Sequence, residues 1–422
     1  MIRLFSLLSM LLFVAQTARC QISLQSYRDS VYAASQELMN SEQAVLKAEA
    51  TERQRHTAML PSLSADGGFS KTFRRSADNH LWGFSVSPQI TQTIYGSGAR
   101  AALRQARSLT VSALLDSQNV LLNMRYAADF AYWNVSAMQL YMGATNEYVK
   151  IILSLYNVVK ERFSEGYAAK SDMLQVEARL SDAEFSQIAA RNNYQVAINR
   201  FNNLRGVEAS QTEDSLAHRI ELSQSIIDSI PMPQRISVET IYARRPDVLS
   251  ANARLRAAEF GVQRTRATFN PKINAGVSGS WQTFTPNATN RTFCDAAITL
   301  GVNIPIFHWN ERRYAVNSAQ TDVAVAYNNL DQIQEDIVMQ EANAWSALMS
   351  SYLQMQSSLH NLSIAGENLS ISTYSYNEGQ ATVLDVLQAQ ISWIQIYTNA
   401  ITARFNYAIA VSEYNLVTGQ EE

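Results

Sequence analysis

The chain has 422 residues, enough for two or three ordinary domains, and 47% of them are hydrophobic while 17% are charged. This composition excludes a disordered chain, and a formal net charge of −3 gives no reason to expect a nucleic-acid partner. The five histidines have no metal-ligand spacing, and no Gly-x-Ser-x-Gly nucleophile motif occurs. We therefore predict no enzyme activity: no catalytic residue, no cofactor and no metal.

Residues 1–20 are typical of a secretory signal peptide. Arg3 supplies the positive start, residues 4–14 are apolar, and the tripeptide at 18–20 (Ala-Arg-Cys) is a small-x-small cleavage site. Cleavage there removes two arginines and shifts the net charge from −3 to −5. A lipoprotein acylated on Cys20 is the alternative, which the arginine directly before the cysteine disfavours.

Each half of the remaining chain is expected to open with a short helix, at about 24–60 and at about 238–270. Pro246 predicts an interruption of the second of these helices, and Asp247 favours the start of the new helix.

Two β-hairpins are predicted next, at about 62–94 and at about 272–304, because polar and apolar residues alternate there. Pro88 predicts a bulge or a strand edge within the first hairpin. The alternation fits transmembrane strands with lipid on one side and water on the other. It also fits a soluble sheet with one buried face, which the strand pattern alone favours.

Two segments without proline, about 98–163 and 310–376, predict unusually long helices. Apolar or small residues recur there at alternating steps of three and four, which is typical of coiled-coil packing. At about 1.5 Å per residue, such a helix of about 65 residues is roughly 100 Å long. A Glu-Gly turn ends each one, and shorter helices follow at about 169–206 and 382–418. An ordinary helix bundle or a fibrous rod is the generic alternative.

The chain repeats itself at a separation of about 210 residues. The segment "FSEGYAAKSDMLQ", which begins at residue 163, matches "YNEGQATVLDVLQ", which begins at residue 376. Because lipid tolerates no open sheet edge and the smallest bacterial barrels use about eight strands, four strands per chain predict a barrel that several chains share. We divide the chain into a signal peptide (1–20), a first repeat (21–206), a linker (207–236) and a second repeat (237–422).

In the order and spacing of its repeated motifs, the sequence resembles the TolC-like outer-membrane efflux protein family over nearly all of residues 21–418. The resemblance implies a membrane α+β fold with internal duplication. Three chains, with four strands each, would form a twelve-stranded β-barrel that a long α-helical coiled-coil barrel continues. The motifs that carry the resemblance are Pro61 and Pro271 at the strand starts, "QTIYGSGAR" (92–100), "ARRPDV" (243–248) and "YNEGQATVLDVLQAQ" (376–390).

The resemblance also implies a function. The chain would be the outer-membrane exit duct of a tripartite efflux or type I secretion system, and would passively conduct drugs or other exported substrates across the periplasm and the outer membrane. Its partners would be two further copies, a periplasmic adaptor (membrane fusion) protein, an inner-membrane pump and outer-membrane lipid. A soluble periplasmic coiled-coil structural or adaptor protein is the alternative.

The family closes its channel at the periplasmic tip, and the resemblance places Asp172 and Tyr376 in this gate. It places a pore constriction at Asp385 and Gln388, where glutamine replaces the second acidic residue of the family. Gly166 and Gly379 would be the tips of the helix hairpins, which contact the adaptor, and glycine there suits a positive φ at a helix end.

A simpler role remains open for Asp385. The segment Thr382-x-x-Asp385 is close to a capping box, so the carboxylate could serve only to start its helix. In the first repeat Ala169 replaces the threonine while Asp172 persists, and capping does not explain that.

Overall fold

The structure is a computed structural model that describes residues 22–72, 81–96, 98–207, 230–285 and 292–420. The predicted signal peptide with Cys20, most of the predicted linker and the polar turns of both hairpins lie outside these residues.

The two halves of the chain contain the same elements in the same order. The predicted hairpins, long helices and shorter following helices are all observed within a few residues of the predicted bounds. No helix in the described ranges is both long and apolar enough to cross a bilayer. The first half contains α1 (Leu24–Ala34), α2 (Gln36–Thr57), β1 (Ser62–Thr72), β2 (Leu81–Tyr95), α3 (Ala99–Ser164) and α4 (Lys170–Leu204). The second half contains α5 (Val238–Arg244), α6 (Pro246–Thr268), β3 (Lys272–Thr285), β4 (Thr292–Asn303), α7 (Glu311–Asn377) and α8 (Val383–Thr418).

The opening helix of the first half is broken, so the single helix predicted over about 24–60 is wrong. Ser35 has extended backbone (φ −69°, ψ 113°) between α1 and α2. Its hydroxyl accepts a hydrogen bond from the Leu38 amide at 3.2 Å, so the residue ends one helix and caps the next. The break predicted at Pro246 is confirmed, because α5 ends at Arg244 and α6 begins at Pro246.

The strands form one antiparallel sheet in the order β1-β2-β3-β4, so the hairpins of the two halves pair through β2 and β3. The register aligns Leu63, Ile90, Val277 and Ile298 in one row across all four strands. Neighbouring positions on each strand point to the opposite face. The sheet therefore has one apolar face and one face of mostly polar and small residues.

Pro88 does not produce the predicted bulge or strand edge. It pairs in register with Ala65 on β1, within a strand that has a neighbour on each side. The pairing of β2 with β3 has the same register before and after the proline, with Val86 opposite Trp281 and Gln89 opposite Ser278. The missing N–H is therefore accommodated as a local gap in one ladder. The irregularity in β2 falls instead between Thr93 and Tyr95.

The chain divides into two compact units. The helical unit consists of the described residues within Met1–Met39, Val120–Arg245 and Ile337–Glu422. The sheet unit consists of the described residues within Asn40–Asn119 and Pro246–Asp336.

The core of the helical unit joins the end of α4 to the beginning of α1. The Tyr27 ring stacks on Phe201 with 3.9 Å between ring centroids, and its hydroxyl donates to the Phe201 carbonyl oxygen at 3.0 Å. Burial raises the pKa of Tyr27, so the hydroxyl stays protonated and remains a donor. Near the end of α8, the Tyr414 hydroxyl accepts a hydrogen bond from the Ile236 amide at 3.0 Å.

Each long helix also carries a buried carboxylate that an arginine neutralises. Arg28 donates two hydrogen bonds, of 2.6 and 2.7 Å, to Asp129 on α3. Arg235 donates two, of 2.9 Å each, to Glu341 on α7. Paired, forked geometry of this kind satisfies a charge that would be costly to bury alone.

In the sheet unit, the joint between β2 and α3 requires glycine. Gly96 has φ 85° and Gly98 has φ 67°. A Cβ atom on Gly96 would overlap the carbonyl oxygen of Pro271. The joint between β4 and α7 has positive φ at two residues that are not glycine, Trp309 (45°) and Asn310 (66°).

We expect Gly96→Ala to destabilise the protein by more than about 2 kcal/mol, because it adds backbone strain to a steric clash. The matched control is Gly143→Ala in α3, where a Cβ atom meets nothing within 4 Å. This control should be neutral or stabilising by up to about 1 kcal/mol, because alanine favours helix. Chemical unfolding of the purified protein followed by circular dichroism gives both values. A Gly96→Ala protein as stable as wild type would contradict the steric argument.

Candidate functional site

The two long helices of the helical unit end in the same turn. In α3, the Gly166 amide bonds to the Phe163 carbonyl at 3.1 Å and the next amide bonds to the Arg162 carbonyl at 2.7 Å. In α7, Gly379 makes the corresponding bond to Tyr376 at 3.0 Å, and the following amide bonds back to Ser375 at 2.8 Å. This is the Schellman pattern, which requires a left-handed residue. The positive φ predicted at both glycines is confirmed, with φ 83° at Gly166 and 74° at Gly379.

Beside the two turns lies a small apolar core, which we call the tip core. Four helices contribute to it, with Val159 on α3, Val176 on α4, Tyr376 on α7 and Val386 on α8. The Tyr376 side chain is only 6% exposed within one chain. The tip core therefore holds the two hairpin ends of one chain together.

Arg162 connects the two tips, and the sequence did not predict this role. Its guanidinium lies 4.6 Å from the centroid of the Tyr376 ring. It also donates to the carbonyl oxygens of Tyr376 at 3.5 Å and Asn377 at 3.2 Å, at the C-terminal end of α7. A cation suits this position because the last carbonyls of a helix carry partial negative charge. The equivalent residue of the second repeat is Ser375, so no repeated pattern marked Arg162.

Asp385 is engaged in its own helix start. Its Oδ2 atom accepts hydrogen bonds from the Thr382 amide at 2.8 Å and the Thr382 hydroxyl at 2.7 Å, while the Asp385 amide bonds to the Thr382 hydroxyl at 3.3 Å. The capping box is thus complete. These hydrogen bonds from Thr382 hold the pKa of Asp385 below its usual value. Gln388, one turn further along α8, is exposed.

Asp172 occupies the equivalent position in α4 but does not cap it. The N-cap residue is Ala169, which makes no side-chain cap bond. The one side-chain hydrogen bond of Asp172 among the described residues comes from its neighbour, the Ser171 hydroxyl, at 3.3 Å. Within one chain, no hydrogen bond joins Asp172 to Tyr376 in the described region, so the two predicted gate residues are not brought together there.

The second candidate site is the apolar face of the sheet. Its large side chains are open to the surroundings, including Leu63 on β1, Ile90 on β2, Val277 on β3 and Ile298 on β4, the last 88% exposed. On a water-soluble monomer, a continuous apolar patch of this kind would be unfavourable, so it marks a surface that lipid or protein covers.

A sheet with an exposed apolar face, joined to long helices that end in matched tips, defines a class of outer-membrane channel folds. The profile of the family described as "Outer membrane efflux protein" matches residues 28–207 and 238–420. The chain belongs to this family, and the family predicted from the sequence motifs is confirmed.

Individual relatives are distant. An uncharacterised protein of Haemophilus influenzae is 24% identical over 273 residues, which cover 62% of this chain and 54% of that protein. The chain thus spans about half the length of this relative. The outer membrane protein TolC of Escherichia coli is 21% identical over 368 residues, which cover 83% of this chain and 73% of TolC. The outer membrane protein VceC of Vibrio cholerae superposes with a TM-score of 0.80 at 18% identity, over 94% of this chain and 96% of VceC, and shows the fold alone.

The capping box predicts a pH-dependent start of α8. A carboxylate whose pKa is lowered on folding contributes stability above its unfolded pKa, and that stability is lost as the pH falls through the folded pKa. We therefore expect Asp385→Asn to speed hydrogen–deuterium exchange of the first α8 amides at neutral pH, with a difference from wild type that shrinks on acidification. In a Thr382→Val background the same change should have little effect. An Asp385→Asn effect that is independent of pH would contradict this assignment.

Proposed function

We propose that the protein is the outer-membrane channel of a tripartite efflux or type I secretion system, located in the outer membrane with a long periplasmic extension. The observation that carries the proposal is the exposed apolar face of a sheet whose opposite face is mostly polar or small. Lipid covers the first face and water wets the second, as in transmembrane barrels. Membership of the outer membrane efflux protein family supports the same conclusion.

The proposal requires several copies of the chain. In the described sheet, β1 and β4 each have a partner on one side only. In hydrocarbon, unpaired backbone N–H and C=O groups are costly, so the edges must be closed by other subunits. Pairing of β4 with β1 of the next chain continues the antiparallel alternation. Three chains of four strands each close a twelve-stranded barrel, which lies within the range of bacterial outer-membrane barrels.

The long helices continue the channel into the periplasm. They begin directly after the strands, α3 four residues after Tyr95 and α7 eight residues after Asn303, and they end at the tips. Conduction is passive in this proposal, and an inner-membrane pump supplies the energy through a periplasmic adaptor. The exposed tip turns at Gly166 and Gly379, where an added Cβ atom meets nothing within 4 Å, are the surface that we assign to adaptor contact.

At the tips, we assign the gate to contacts between subunits. Asp172 is partly buried and does not cap its helix, so we assign its carboxylate to contact with a neighbouring chain. Tyr376 is held at its backbone and ring by Arg162, which fixes where its hydroxyl points. Asp385 faces solvent from the first turn of α8, with Gln388 one turn later, and these two residues form the proposed constriction.

The gate assignment predicts that Asp172→Ala combined with Tyr376→Phe raises the single-channel conductance in planar bilayers several-fold, because the tips relax outward. The matched control is Asp182→Ala with Tyr374→Phe, which removes the same groups from exposed positions on the same two helices. The control should conduct like wild type. If both double variants conduct like wild type, the gate assignment is wrong, while the proposed channel function still stands.

The shared barrel predicts a trimer. Native mass spectrometry of the detergent-purified protein should give three times the mass of the mature chain. Extraction should also require detergent, because the apolar face needs a lipid-like cover. A monodisperse monomer that is released without detergent would instead support the periplasmic rod or adaptor.

A further inference from the structure

The joint between β4 and α7 has two strained residues, Trp309 and Asn310, that the strand-to-helix connection does not require. Trp309 and Asn310 both have positive φ, which costs a residue with a bulky side chain of the order of 1–3 kcal/mol. The equivalent joint of the first half makes the same strand-to-helix connection. When the two repeats are aligned, its Gly98 corresponds to Asn310. A tryptophan at a strained position, with its side chain 84% exposed, is not explained by packing.

Next to this joint lies a cleft of about 450 Å³ that three arginines line, Arg266 from the end of α6 and Arg312 and Arg313 from the start of α7. The remaining lining residues are Asn310, Val316 and Asn317, so no acidic side chain is among the described residues that line it. None of the three guanidinium groups makes a hydrogen bond or ion pair with the part of the chain that the structure describes. The one carboxylate nearby in sequence, Glu311, lies 3.7 Å from His308.

The first repeat lacks this cluster. When the two repeats are aligned, Arg312 corresponds to Arg100 in the first repeat. Arg313 corresponds to Ala101, so its charge has no counterpart there. Since both joints connect a strand to a long helix, the backbone does not need these cations. Three guanidinium groups without partners around one cleft form a receptor for an anion, and their forked geometry matches phosphate.

The apolar surface leading to the cleft indicates where the phosphate comes from. Ile298, Leu300 and Val302 lie on the apolar face of β4, and every second residue after them is also apolar and exposed, at Ile304 and Ile306. Phe307 and Trp309 follow, with their rings edge to face and centroids 4.9 Å apart. Exposed aromatic rings beside cations are typical of the boundary between hydrocarbon and head groups.

We infer that this corner, made of Phe307, Trp309 and the three-arginine cleft, binds the phosphate of an anionic phospholipid in the periplasmic leaflet of the outer membrane. The acyl chains lie along the exposed stripe of β4, the aromatic rings sit at the level of the glycerol, and the arginines bind the phosphate. The inference rests on the proposed membrane location of the sheet. It adds a specific lipid-binding site to a surface whose apolar side chains would otherwise contact lipid acyl chains only non-specifically.

The test reconstitutes the full-length protein in vesicles of equal parts phosphatidylglycerol and phosphatidylcholine, extracts it gently, and counts the retained lipids by mass spectrometry. Wild type should be enriched in phosphatidylglycerol. The triple variant Arg266→Gln, Arg312→Gln and Arg313→Gln should lose that enrichment roughly tenfold or more, because each lost bond is charge-assisted. The control Lys150→Gln, Arg179→Gln and Arg191→Gln removes the same charge from exposed positions of the helical unit and should retain it. Equal enrichment in the two variants overturns the site.

A second variant separates binding from folding. Glycine tolerates the positive φ of position 309, so Trp309→Gly should leave the unfolding midpoint unchanged or raised, while it reduces the phosphatidylglycerol enrichment several-fold. Trp309→Phe keeps an aromatic ring and should restore most of the enrichment. Enrichment that Trp309→Gly leaves unchanged overturns the aromatic part of the corner.

Two further measurements identify the source of the phosphate and separate this inference from the proposed function. Inorganic phosphate at 10 mM should not displace the retained phosphatidylglycerol; displacement would make the cleft a free-phosphate site.

Wild type should conduct in bilayers of phosphatidylcholine alone. Conduction there without any preference for phosphatidylglycerol would overturn the lipid site only. A protein that never enters a bilayer overturns both.

Discussion

The backbone hydrogen bonds at the two edges of the sheet are the constraint on which the rest of the structure depends. Each edge strand, β1 and β4, satisfies one side only within the described chain. A row of unpaired donors and acceptors tolerates water but not lipid, and lipid is the medium that we propose for the apolar face. In the proposed assembly, pairing with sister subunits satisfies the backbone groups of both edges. It would also bring the helices that follow each hairpin into a ring, because α3 begins four residues after β2 and α7 begins eight residues after β4.

The two repeats share a backbone, but they have diverged where side chains face outward. Both long helices end in the same hydrogen-bonded turn, at Gly166 and at Gly379. After that turn, Asp385 is bound into a capping box, whereas Asp172 is not. Duplication therefore supplied two equivalent carboxylates, and the Thr382 side chain decides which one is committed to its own helix. The residue of the first repeat that corresponds to Thr382 is Ala169, and this single difference leaves the Asp172 carboxylate outside any capping box.

Sequence periodicity was sufficient to predict the helices, the strands and the tip turns, because each depends on local residue preferences. The same information located the break at Pro246, where the chemistry of proline forces it. It missed the break at Ser35, which depends on a hydroxyl that caps the next helix. It misjudged Pro88 because β2 keeps the same register with β3 on both sides of the proline, so the missing N–H leaves only a local gap in that ladder. It could not find Arg162, whose partner Tyr376 lies 214 residues away, since only the packed tip core brings them together.

The exposed apolar row on the sheet also has a kinetic consequence. Within one chain, the side chains of Leu63, Ile90, Val277 and Ile298 remain exposed, so in the proposed assembly the monomer would be an aggregation-prone intermediate. Formation of the proposed trimer needs three chains to meet, so its rate would rise steeply with the local concentration of subunits, while incorrect pairing of edge strands would compete with it. A surface that gathers chains in two dimensions raises that concentration. On this proposal, the membrane would speed assembly of the channel as well as hold the finished channel.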